Sequence, residues 1–160
     1  MQINSLPDTD GSRCILTYDE QNRWLRATWR GFVDSDEAWR GANNYLNKLP
    51  LFQCAGLLND NHMLEGPWFD SLEWIKRVWL PFAHRLGLRY VAHVVQNDTG
   101  TDILTRAHLQ PVISGVELQI FDHLHEAEAW LRACLSGPAV QPAGNLASAS
   151  QPARRLGASQ

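Results

Sequence analysis

The chain is poor in the features that announce a function. It has three cysteines, Cys14, Cys54 and Cys134, and no paired spacing among them. That argues against a disulfide framework and against a cysteine-built zinc site, so they read as reduced thiols packed in a core. No apolar run approaches the ~18 residues that a membrane-spanning helix needs. The opening residues, MQINSLPDTDG, lack a basic-then-apolar leader, which makes a cytoplasmic protein the expectation. Positive charge is not in excess: 14 Lys and Arg face 17 Asp and Glu, for a net charge of −3. A nucleic-acid-binding domain is usually basic, so no nucleic-acid partner is expected. Catalytic motifs are missing too. There is no G-x-S-x-G, no P-loop, no G-x-G-x-x-G and no H-E-x-x-H, so the expectation is a protein that is not an enzyme and needs no cofactor. Six His are scattered without ligand spacing. Asp60 and His62 can be written with His123 or His125 as a metal set, and Ser71 with a His and Asp60 as a triad, but no spacing favours either. No metal is expected.

What is present is a core. At 160 residues and 44% hydrophobic content the chain suits one domain. The reading divides it into a flexible lead over 1–12, an α/β domain over 13–135 and a disordered, low-complexity tail over 136–160. The tail is rich in Ala, Ser, Pro, Gly and Gln and holds two charges, Arg154 and Arg155.

The organising stretch runs from Cys54 to Leu86. Cys54 to Leu58 is a short apolar run that ends in Asn59-Asp60-Asn61. A run of that length bounded by turn residues suits a strand buried on both faces. Trp68, Leu72, Ile75, Trp79, Phe82 and Leu86 then recur at steps of four and three, which places them on one stripe of a long helix. Gly66-Pro67 opens that helix and Gly87 closes it. Pro81 lies inside and predicts a kink. Trp74 falls roughly 115° from the stripe centre and is the candidate anchor for a partner.

The other segments obey the same logic. Cys14–Tyr18 and Trp24–Trp29 read as a hairpin around Asp19-Glu20-Gln21-Asn22, its second strand at or near an edge. Asp34 with Glu37 opens a helix that Pro50 stops. Tyr90–Val95 is an apolar strand, 102–109 a weak short helix, and Val116–Phe121 a last strand. Asp122 caps a closing helix with Ala127, Trp130, Leu131 and Cys134 on one face. The order is β-β-α-β-α-β-α-β-α. It predicts a mixed five-stranded sheet, mostly parallel, with an antiparallel edge strand and helices covering it.

In open α/β sheets ligands sit beyond the carboxyl ends of the strands. Those ends are expected to carry Asn59, Asp60, Asn61, His62, Asp98, Asp122 and His123, with Trp68 at the start of the long helix. These residues form the candidate ligand or partner face.

The strand ending in Asn-Asp, the Gly-Pro-Trp helix opening, the strand Tyr90-Val91-Ala92-His93-Val94-Val95 and the closing Ile120-Phe121-Asp122-His123-Leu124-His125-Glu126-Ala127-Glu128-Ala129-Trp130-Leu131 resemble a family of small bacterial proteins. These are described as STAS-like, with the fold of anti-sigma-factor antagonists, and are sometimes grouped with CRAL-TRIO lipid-binding domains. The resemblance covers Cys14 to Leu135. It implies a non-enzymatic protein-interaction or regulatory module, with a protein partner or self-association. The CRAL-TRIO grouping implies a second possibility, a binder of a small apolar or amphipathic, lipid-like ligand. Regulatory STAS domains are phosphorylated on a Ser in an Asp-Ser-Ser-Gly setting. Here Asp70-Ser71 stand near that place with Leu72-Glu73 after them, which makes Ser71 a weak candidate phosphosite.

Overall fold

The structure, a computed structural model, describes residues 2–7, 11, 13–65, 72–96 and 112–137. These build one mixed sheet with helices on both faces. The strands are β1 (Gln2–Pro7), β2 (Arg13–Asp19), β3 (Trp24–Phe32), β4 (Gly56–Glu65), β5 (Tyr90–Val94), β6 (Val112–Ile113) and β7 (Val116–Phe121). The sheet order is β1-β2-β3-β4-β5-β7-β6. β3, β4, β5 and β7 run parallel, and the remaining pairs are antiparallel. Three helices accompany them. α1 is Ser35–Phe52. α2 covers 72–85 as Leu72–Trp74, a π-helical segment Ile75–Trp79, and Leu80–Arg85. α3 is Leu124–Ser136.

The expected five-stranded sheet is therefore corrected to seven strands within the same α/β class. The two added strands are edges. β1 lies inside the stretch read as a lead, and pairs with β2 from Pro7↔Arg13 back to Gln2↔Thr17. β6 is two residues long and returns on β7 through Ser114 and Gly115, both at positive φ (52° and 83°). A two-residue turn with both φ positive matches strand twist, and Ser-Gly is a fair signal for it. The hairpin's second strand, β3, is not at the edge. It sits between β2 and β4.

Alternation along the strands sorts the side chains onto two faces. Leu16, Leu25, Ala27, Trp29, Leu57, Val91 and Leu118 form one core with Tyr45 and Leu49 of α1 and Trp79, Leu80 and Ala83 of α2. Trp24, Leu58, Ala92 and Val94 form the other, under Ala127 and Leu131 of α3. The approach of α1 is close. An added Cβ on Gly41 would stand 2.5 Å from the edge of the Trp29 ring, so only glycine lets the ring come this close beneath the helix.

Three local expectations change. Pro50 does not stop α1. The helix runs on to Phe52 and closes on Gln53, a left-handed cap (φ 47°) whose N–H donates to the Leu49 carbonyl. Pro50 lies in the last turn, where the bond it forfeits is one of few remaining. In α2, the disturbance near Pro81 is a π turn in which the Leu80 N–H reaches back to the Ile75 carbonyl. That turn adds a residue and rotates the last stretch of the helix. Trp79 stays buried, Leu80 and Ala83 enter the core, and Phe82 is turned out to 43% exposure. At α3 the cap position is His123, without a side-chain cap bond, rather than Asp122. The helix expected over 102–109 lies outside the described residues.

Candidate functional site

The largest difference lies in β4. The apolar run does not end at Asn59. The strand continues through Asn59, Asp60, Asn61 and His62 to Glu65, so these four side chains stand inside the sheet and not in a loop beyond it. A central strand tolerates them because neighbouring strands supply partners. The strand then bulges. Thr28 of β3 is registered with Asp60 but Arg30 with Met63, so Trp29 faces two residues, Asn61 and His62.

Alternation divides the polar run between the faces. Asn59 belongs to the α1/α2 face. Its Oδ1 accepts from Trp29 Nε1 at 3.0 Å, and its Nδ2 lies 2.9 Å from His93 Nδ1. An indole N–H only donates, so it fixes the amide orientation. The amide N–H₂ then faces His93 and donates to Nδ1, which leaves the His93 proton on Nε2. His93 is fully buried on β5, in register with Asn59.

This polar triad sits in the lining of a cavity of ≈ 80 Å³ between the sheet and the two helices. Tyr45, Trp74 and Trp79 contribute three further aromatic rings, and the remaining wall is aliphatic. No described lining residue carries a formal charge. Tyr45 is buried, and its hydroxyl has no hydrogen-bond partner among the described residues. Burial drives its pKa well above the ordinary phenol value, with the Cys54 thiol adding to the effect. Trp79 Nε1 donates to the Ala42 carbonyl at 3.0 Å and pins α2 to α1 beside the cavity.

Asp60 and His62 belong to the α3 face. Asp60 is fully buried. Its carboxylate accepts from Arg26 at 2.6 Å and contacts His62 Nδ1 at 2.6 Å. Burial alone would raise its pKa, but the hydrogen bonds from His62 and Arg26, with their charges, outweigh burial and hold it below the ordinary carboxylate value. A second cleft, ≈ 410 Å³ and open, lies on this face between Thr17, Asp19, Glu20, Trp24, Arg26 and Glu128.

The remaining candidates are scattered. Asp122 and His123 are exposed after β7, with His123 stacked on His125 at 5.7 Å. Among the described residues no hydrogen bond or ion pair joins them to Asp60 or His62. Trp74 is half-buried, with its ring 5.7 Å from that of Trp39. Asn61 is fully buried, and neither amide atom has a partner among the described residues. Trp68, Ser71 and Asp98 lie outside the described residues. No group of three His, Cys, Asp or Glu among the described residues could hold a metal ion. Among them, no helix is long and apolar enough to cross a membrane.

Trp29, Tyr45 and Arg26 were not singled out from the sequence. Arg26 carried a signal, a cation on the outward phase of an apolar strand. Trp29 and Tyr45 carried none beyond core periodicity. No protein-family model matches the chain, and no curated protein or solved structure matches it either.

Proposed function

We propose that this protein is a non-enzymatic binding protein that holds a small, uncharged, largely apolar ligand between the sheet and α1/α2. The observation that carries this reading is the cavity with Tyr45 in its wall, a buried residue whose hydroxyl has no partner among the described residues. A buried hydroxyl left unpaired costs on the order of 1–3 kcal/mol, which a ligand with one polar group would recover. An uncharged wall favours a neutral ligand, because a charge would lose its hydration without a counter-ion. The volume holds a few heavy atoms, given a water's share of roughly 30 Å³. A larger ligand would have to displace the half-buried Trp74.

The test is native mass spectrometry of the purified protein, then denaturing mass spectrometry of the same sample. Added mass that vanishes on denaturation and is absent from an Ala42→Phe variant supports the reading. The same adduct in the filled variant, with the fold intact, defeats it.

A second reading is favoured by one surface feature. Trp39 (50% exposed), Val78 (53%) and Phe82 project outward from α1 and α2. An apolar stripe on paired helices fits the STAS-like interaction module that the sequence resemblance implies, with a protein partner or a second copy of the chain. In this reading a Val78→Asp change abolishes association and leaves melting unchanged. A cytoplasmic setting belongs to both readings and is supported by the free cysteines Cys14, Cys54 and Cys134.

A further inference from the structure

Among the described residues, α3 covers only part of its face of the sheet. α3 packs across β4, β5 and β7. Toward β3 it sends Arg132 over the Trp24 ring and Glu128 to 3.8 Å from Arg26. Beyond those contacts, β2 presents Arg13, Ile15 and Thr17, and β3 presents Arg26, Thr28 and Arg30, all half-buried. Arg13 and Arg30 are directly opposite one another across the antiparallel pair. Like charges in that arrangement repel. Arg26 is neutralised by Asp60, but neither Arg13 nor Arg30 has an ion pair or side-chain hydrogen bond among the described residues. The Nε of Arg30 is shielded from solvent and lacks an acceptor among the described residues. Arg30 is in register with Met63, beside His62, whose Nδ1 is fixed by Asp60 so that Nε2 turns away from that carboxylate.

We propose that this open face carries a phosphate-binding site, gripped by Arg13 and Arg30 with Thr28 and His62 beside them, and that its ligand is a small phosphate-bearing molecule. Charge selects phosphate over carboxylate. Two guanidiniums without a carboxylate partner among the described residues match a group that is close to a dianion at neutral pH, and their planar forks suit its oxygens. Charge also limits the size of the ligand. Along β2 and β3 the register runs from Arg13↔Arg30 to Asp19↔Trp24, roughly 20 Å away. That far end is acidic, with Asp19, Glu20 and Glu128 around the second cleft. A long polyanion laid along the strands would meet those carboxylates, whereas a compact phosphate at the Arg13 end would not.

The test is titration calorimetry at pH 7.5 and constant ionic strength, with inorganic phosphate as the probe. Acetate and a 12-nucleotide single-stranded DNA form the other arms. Saturable phosphate binding is expected, weakened roughly tenfold or more in Arg30→Gln, because a charge-assisted hydrogen bond is lost. Arg85→Gln, an exposed cation on α2, should leave binding unchanged. Without phosphate, Arg30→Gln should melt no lower than the native chain, since it removes a repulsion. If Arg30→Gln does not fold, Arg13→Gln carries the same expectation. Acetate binding as tightly as phosphate, DNA binding more tightly than phosphate, or equal phosphate binding by the variants would each overturn the proposal.

Discussion

The two faces of the sheet solve the same problem in different ways. Each must bury polar side chains that β4 brings into the interior. On the α1/α2 face the solution is neutral. Asn59 links the Trp29 indole to His93, and aromatic rings surround them. On the α3 face the solution is ionic. Asp60 is held between Arg26 and His62, both partly open to water. Neutral hydrogen bonds make a polar spot inside a dry wall, suited to an uncharged guest. Ion pairs at a half-covered surface leave cations over, suited to an anionic one. Adjacent residues of one strand thus face two different kinds of solvent.

The comparison can be broken first at Asp60. Asp60→Ala leaves Arg26 and His62 facing an empty, buried position and should cost about 3 kcal/mol in urea unfolding. An effect under about 1 kcal/mol would mean that water screens this cluster and that the faces are not distinct. Gly41→Ala probes the other side. Its new Cβ must push the Trp29 ring, at about 1–3 kcal/mol by thermal melting. Trp29→Phe is milder. It removes the Nε1 donor to Asn59 and should cost about 1–2 kcal/mol, together with any cavity ligand.

The pH dependence sharpens the contrast. Asp60 has a folded-state pKa below its unfolded value. Its contribution is therefore complete above the unfolded carboxylate pKa, near 4, and is lost as pH falls through the lower, folded value. Urea midpoints measured downward from pH 5 should drop, and Asp60→Asn should flatten that drop. The smallest effect belongs to the exposed Glu73–Arg77 pair at 2.8 Å, where Glu73→Gln should change stability by less than about 0.5 kcal/mol.

Much of this was legible in the chain, for identifiable reasons. The capped start of α1 at Asp34, whose side chain accepts from the Glu37 N–H at 2.7 Å, was readable because capping is local. β7 and the buried Ala127 and Leu131 were readable from periodicity alone. The site was less legible. Asn59-Asp60-Asn61 has turn composition, and composition could not reveal that Trp29, thirty residues earlier, would donate to the first of them. The rotation in α2 was hidden for a related reason. A regular 3.6-residue stripe predicts Phe82 inward, and one π turn moves Ala83 into its place. Both failures are tertiary overrides of correct local signals.

The bulge in β4 has a consequence for how the chain tolerates changes in length. Before it, odd-numbered residues Leu57 and Asn59 look toward α1 and α2. After it, the even-numbered Leu64 does, and it is buried there. The bulge is thus what absorbs the supernumerary residue and keeps Leu64 on the side of α1 and α2. Deleting either Asn61 or His62 would restore unbroken pairing with β3 and still leave Leu64 opposite Gly31, on the same face as before. A one-residue deletion at this point, unlike one in the regularly paired part of β4, should therefore keep both faces of the strand in place.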